Sequence, residues 1–307
     1  MKNAPDPPRL IINADDFGLS HGISDGIAAA HRCGILTSTS VMVKQPASEY
    51  ALELLRGMPN LGVGIHLNLC TGCPVLSPRE VPTLVAANGN FHAPEVLFRR
   101  LWRFQLSGSE IEAEFRAQIS WLKDRGVVPI HADSHLHAHI YPAAVGPFRR
   151  ALRHEGIRCA RAPRCSVWPP TGRAGGPHEG SLARRLLVHG YRTALQFGPL
   201  RTLTTPHSRV SFHVNDRRDL ASIGRCWIAA LNNLPAGTFE LACHPGLRQP
   251  GFSESDRIAD QREQELRWLT SSALREALAN NHIESIRYAD LRGEADESSA
   301  IVEAQAS

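Results

Sequence analysis

Leu10-Ile11-Ile12-Asn13-Ala14-Asp15-Asp16-Phe17-Gly18 sets the terms for the rest of the chain. Leu10 to Ile12 is a short apolar run with the length and branching of a buried parallel strand. It stops at two adjacent carboxylates and a glycine. A helical pattern follows at Ile23, Ile27 and Ala30, with Ser20 or Ser24 as N-cap and Gly34 as the stop. Strand, acidic tip and helix form the unit of an α/β protein, whose chemistry gathers at the carboxyl ends of strands. Two like charges side by side call for something positive between them, most simply a metal ion. The bland alternative is a helix cap next to a solvated turn residue.

The unit repeats. The pattern predicts strands over 35–43, 61–69, 127–132, 157–161, 200–204, 238–243 and 284–287. Helices are expected over 46–55, 94–106, 109–125 (Ser109 and Glu112 as a capping box), 142–155, 181–195, 219–232 and 256–279. Between them lie a Pro/Gly-rich loop over 70–93, long enough to suggest function, and an irregular Gly/Pro insert within 162–180. No mid-chain linker divides the pattern. The expectation is α/β: a single TIM-like (β/α) barrel over 9–292, either regular or irregular and seven-stranded, after an extension at 1–8 and before a flexible tail at 293–307. An open doubly wound sheet is the alternative. The glycine fingerprint of a dinucleotide site is missing after the first strand, where the two acids would repel a pyrophosphate.

Composition narrows the function classes. The 307 residues are 42% hydrophobic and 21% charged, with a net charge of +4, and no basic run interleaved with aromatics points to nucleic acid. The N-terminus has no signal-peptide apolar region, and no apolar run approaches the roughly 18 residues of a membrane span. Seven cysteines in no disulfide-like framework fit free thiols, so a cytoplasmic protein is expected. The single C-x-x-C at Cys70 and Cys73 reads as two small residues rather than half a metal site. Fifteen histidines are the compositional oddity.

Several of those histidines fall where strands should end. Asp15 and Asp16 close the first strand, His66 the third and Arg161 the fifth; His135 follows the fourth, and His244 closes the strand at 238–243. In a barrel these ends meet on one face. Each has a plain reading: His66 as a buried histidine with one hydrogen bond, His244 as a turn residue, Asn68 as the end of its strand. Of His131, His135, His137 and His139, one metal cannot use all four, and an extended segment would turn them to one side. Taken together, one carboxylate and two imidazoles make a facial site with open positions. A second carboxylate can accept a proton from water, and an opposing histidine can return one to a leaving amine. The implied reaction is metal-assisted hydrolysis of an amide or ester.

N-A-D-D-F-G-L-S at 13–20, T-S-T-S at 37–40, G-V-G-I-H-L-N-L at 62–69, D-S-H-L-H-A-H at 133–139, R-A-P-R at 161–164 and C-H-P-G at 243–246 occur in this order. As a set they resemble the YdjC-like (ChbG/HpnK) carbohydrate deacetylases. The resemblance implies a barrel-like fold and removal of acetyl from an N-acetylglucosamine-containing saccharide or glycolipid. It also implies one divalent metal, recorded as magnesium, although two imidazoles suit zinc or manganese better. Matched position by position, Asp16, His66 and His135 become metal ligands, Asp15 the base, and His244 the acid or an orienting group. Arg161, Asn68 and His139 are expected to face substrate. Cys70 stands where the family often has threonine, and the 165–180 segment has no matched counterpart. Two alternatives remain: an amidohydrolase-type enzyme for another amide, ester or phosphoester using His137 and His139, and a non-catalytic sugar-binding barrel. A homodimer is the assembly to test.

Overall fold

β1 (Arg9–Phe17) is the strand on which the others are hung: every residue after Arg9 is buried, so both of its faces are covered. In the computed structural model the described residues are 7–163, 165–167, 190–195, 197–211, 222–254 and 256–291. The expectations for the 293–307 tail and for most of the 165–180 insert and the 181–195 helix lie outside them.

Beyond β1 the strands are β2 (Ser38–Val41), β3 (Gly62–Leu67), β4 (His131–Ser134), β5 (Cys159–Ala160), β6 (Cys165–Val167), β7 (Ser208–Ser211), β8 (Thr238–Cys243) and β9 (Glu284–Ile286). All pair in parallel in the order β5-β4-β3-β2-β1-β8-β7-β6, with β9 added to β1. Laid flat, eight strands would put β5 and β6 about 34 Å apart at the usual strand spacing. Yet the five chain steps from Ala160 to Cys165 reach at most about 18 Å. The sheet must therefore curl. Among the described residues the ladder does not close as a continuous barrel; an isolated parallel bridge, Cys159 to Thr204, spans the seam. The doubly wound alternative fails, and the barrel expectation holds in its open form.

Side chains alternate along β1. Leu10, Ile12 and Ala14 belong to the large core shared with the helices, whereas Ile11 packs inside the curl with Cys159, Ile286, Tyr288 and Leu291. That small apolar plug closes the interior at the strands' amino ends. The layer above it is polar.

The helices are α1 (His21–Cys33), α2 (Ser48–Leu55), α3 (Pro94–Trp102), α4 (Gly108–Lys123), α5 (Pro142–His154), α6 (Ser222–Leu231), α7 (Ala259–Leu269) and α8 (Ser272–Asn280). Ser20 caps α1 through the amide of Ile23, and Ser24 Oγ instead accepts from the amide of Gly18. The strand expected over 200–204 is only an isolated bridge at Thr204, and the ladder runs instead through Cys165–Val167, inside the expected insert, and Ser208–Ser211. Several boundaries also differ from expectation. Ser107, not Ser109, caps α4. The helix expected over 256–279 breaks at Thr270-Ser271, where Ser271 caps α8. The fourth strand runs over 131–134 rather than 127–132, because Pro129 cannot donate to a ladder and the register matches Ala132–Ser134 with Ile65–Leu67. Among the described residues no helix is long and apolar enough to cross a membrane.

Candidate active site

Adjacent residues in a regular strand point to opposite faces, so Asp15 and Asp16 should be separated. A bulge prevents this. The β1–β2 register slips between Ala14 and Phe17, and Asp16 takes φ +70°, a left-handed conformation that aspartate tolerates better than most residues. Both carboxylates are thereby delivered to His66, each within reach of its ring.

Asp15 sits inside the curl and is bound bidentately by Arg161, which donates from Nη1 and Nη2 at 2.7 and 2.6 Å, while Asn13 Nδ2 donates at 3.0 Å. Burial is the largest single influence and opposes its charge, but Arg161 and His66 together hold the carboxyl below the usual carboxylate range. The same guanidinium reaches Asp133 at 2.8 Å and donates from Nε to Glu240 at 2.9 Å. It is 1% exposed.

His66 Nδ1 donates to Asp133 Oδ1 at 2.7 Å, since a carboxylate can only accept. Its Nε2 is left facing Asp16 Oδ1 at 3.4 Å. Burial alone would lower the imidazole pKa; Asp133 and Asp15 push it up to about 10. Arg161 is shared by Asp15, Asp133 and Glu240, and Arg262 by Asp16 and Asp256, so five carboxyl groups face two guanidinium cations. The cluster is short of positive charge at the His66 ring.

His135 Nδ1 lies 3.0 Å from the same Asp16 oxygen. It opens a 3-10 turn, His135–Ile140, in which Leu136 and His137 are both left-handed (φ +51° and +56°). Donor atoms of Asp16, His66 and His135 all lie within 4.8 Å of one another. One carboxylate and two imidazoles, one of them oriented by a carboxylate on its far nitrogen, suit a divalent transition metal. Asp15, His66 and Asp133 are equally close, but both of those carboxylates are already ion-paired with Arg161. The other oxygen of Asp16 accepts from Arg262 at 2.7 Å; burial notwithstanding, that arginine and His135 hold Asp16 well below the carboxylate range.

His244 enters from the loop after β8. That loop is seated on a glycine face of α1: a Cβ on Gly26 would lie 2.4 Å from Gly246 Cα, and the Leu247 amide donates to Gly22 carbonyl at 2.8 Å. The His244 Nε2 is 3.8 Å from Asp15 Oδ2, and its Nδ1 is 3.9 Å from Glu265.

Asp15, Asp16, His66, His135 and His244 line one cleft of about 960 Å³, walled on its apolar side by Phe98, Leu136, Tyr141 and Phe252. Arg161, Asn68 and His139, expected to face substrate, lie behind its wall instead. Arg161 is spent on three carboxylates. Asn68 spends its side chain on the 68–71 turn, accepting from the amides of Cys70 and Thr71 and donating to the Thr71 carbonyl. His139 is buried, its Nδ1 2.6 Å from Ser134 Oγ and its ring against Phe148. His137 contacts Arg209, and although its ring lies 6.4 Å from that of His139, neither belongs to a candidate metal group among the described residues. The 131–139 histidines are not in one extended segment, because the double left-handed turn redirects them.

Sequence reasoning missed Asp133, Ser40, Glu240, Arg262 and Glu265. Ser40 Oγ donates to Asp133 Oδ2 at 3.1 Å. Asp133 and Ser40 stand inside the quoted motifs, and Glu240 is a lone acid in an apolar strand, a signal in itself. Nothing in the α7 sequence marks Arg262.

The family described as YdjC-like protein matches residues 9–280. A carbohydrate deacetylase of Vibrio cholerae (strain M66-2) is 30% identical over 284 residues, 92% of this chain and 96% of the relative. One from Halalkalibacterium halodurans is 42% identical over 142 residues, 46% of this chain and 59% of the relative, so this match spans little more than half of that relative. The crystal structure of a candidate cellobiose-phosphate cleavage protein from Enterococcus faecalis V583 superposes with a TM-score of 0.75 at 25% identity, covering 93% of this chain and 99% of that one.

Proposed function

Because this chain belongs to the YdjC-like protein family, we propose that it is a metal-dependent carbohydrate deacetylase, hydrolysing the N-acetyl group of an N-acetylglucosamine-containing saccharide or glycolipid. The observation that carries the reading is the grouping of Asp16, His66 and His135 beside a spare carboxylate, Asp15. A divalent ion held by the first three would supply Lewis acidity toward the acetyl oxygen and toward water.

The rest falls to the chain's own side chains. Asp15, kept ionised by Arg161, takes a proton from the attacking water at a carboxylate oxygen. His244 Nε2, across the same cleft, returns one to the departing amine nitrogen, and Glu265, accepting from the His244 amide, anchors that residue's backbone. Asp133 fixes the His66 tautomer so that Nε2 is the free donor. Phe98 and Tyr141, stacked at 4.8 Å, offer an apolar face to a sugar ring.

Acetate release from N-acetylated sugars, measured with bound metal, tests the proposal. Asp15→Asn should retain metal and lose about 10²-fold or more in rate. A fully active variant would remove Asp15 from the role.

A further inference from the structure

The cleft has a second, smaller lobe beyond His244. Asp15, His137 and His244 line both lobes, so the two meet where the scissile acyl carbon would lie. The small lobe holds about 200 Å³, and its described wall includes Val210, Ile223, Trp227 and Ala242, with Arg209 and Gln261 among its polar lining. Val210, Ile223 and Trp227 are buried. The four apolar residues give the lobe one side that fits an alkyl group, facing a polar side made of Asp15, His137, Arg209, His244, Gln261 and Glu265. Size argues the same way: small-molecule sites begin at roughly 300 Å³, a threshold only the large lobe passes.

We infer that the small lobe is the acyl chamber, and that it admits N-propionyl and N-butyryl groups as well as N-acetyl. This rests on the deacylase reading above. A water needs on the order of 10–15 Å³ of such space, and a methyl is of similar size, so an acetyl methyl leaves most of the lobe empty. The chemistry is unchanged: water oxygen bonds to the acyl carbon, the C–N bond breaks, and the amine leaves with the proton. The large lobe then takes the sugar, and acyl length is set by Ile223 and its neighbours.

The experiment uses the metal-loaded full chain and β-1,4-linked glucosamine disaccharides carrying N-acetyl, N-propionyl or N-butyryl groups. Wild type should release propionate within about tenfold of acetate in kcat/KM, because one methylene in an accommodating pocket costs little. Ile223→Phe, which fills the lobe, should lower the butyrate-to-acetate ratio about tenfold or more. Ile223→Ala should raise it, and it reads the same assignment if the larger residue prevents folding. Rejection of propionyl by more than about 200-fold in wild type overturns the wider acyl range. Ratios unmoved in the folded variants overturn the placement of the acyl group. Acetate release with no acyl-length response leaves the deacetylase reading standing and this one not, whereas no carboxylate from any sugar overturns both.

Discussion

Asp133 is what orients His66, holding Nδ1 so that Nε2 faces Asp16. Its carboxylate accepts from Nδ1 at 2.7 Å and is itself held by Ser40 and Arg161. Asp133→Asn keeps the shape but weakens that orientation, and calorimetric titration should find metal affinity reduced about 10–100-fold. His131 is a second case in which position decides chemistry. It is stacked on Tyr288 at 3.8 Å, and neither ring nitrogen has a hydrogen-bond partner among the described residues. Burial lowers its pKa to about 3. The unfolded chain, near 6.5, takes the proton first, so the His131 contribution to stability is full above about pH 6.5 and is lost as pH falls toward 3. At pH 5 the loss is about 2 kcal/mol. In urea denaturation at pH 7 and pH 5, His131→Leu should lose about that much less stability than wild type. The sequence showed His131 only as one of four clustered histidines. Nothing local to it distinguishes a ring against Tyr288 from one at a metal, since the distinction lies in a contact more than 150 residues away.

At the scale of elements, the alternation of strand and helix was legible because both periodicities are local. Register and turn geometry were not. The slip that turns Asp16 beside Asp15 depends on how β1 meets β2. The left-handed pair Leu136 and His137 also runs against preference at Leu136, since leucine seldom accepts positive φ and costs on the order of 1 kcal/mol there. That turn brings His135 to Asp16 and leaves His139 in the core. The seat of the His244 loop on α1 is likewise a packing fact. In an ordinary helix interior, glycine to alanine gains about 1 kcal/mol. At Gly26 the added methyl would collide with Gly246 Cα at 2.4 Å, so the loop must shift. Gly26→Ala should therefore lower kcat about tenfold or more while metal affinity is retained, because none of the proposed ligands sits on that loop. Parallel kinetics and metal titration check the split.

Over the whole molecule, the proposed ligands come from elements that only the curled sheet brings together. Asp16 ends β1, His66 lies in β3, and His135 follows β4, with β2 between the first two. In the unfolded chain these three donors are far apart, so an ion that binds them binds the native state almost exclusively. Its stabilisation then follows its concentration, reaching about 2.7 kcal/mol at one hundred times Kd. Thermal melts with added metal should show Tm rising by several degrees, and chelation should reverse the rise. His135 suits the control, because it is the most exposed of the three proposed ligands and its loss leaves the Arg161 and Arg262 clamps intact. His135→Ala should melt near the metal-free wild type and respond little to metal. The order of ions carries a further consequence of the donor set. Two imidazoles and one carboxylate favour zinc or manganese over magnesium, which prefers an all-oxygen shell. At equal free concentration, zinc and manganese should raise Tm more than magnesium. An unresponsive wild type would mean that the excess negative charge around His66 is answered by a proton on its ring rather than by an ion.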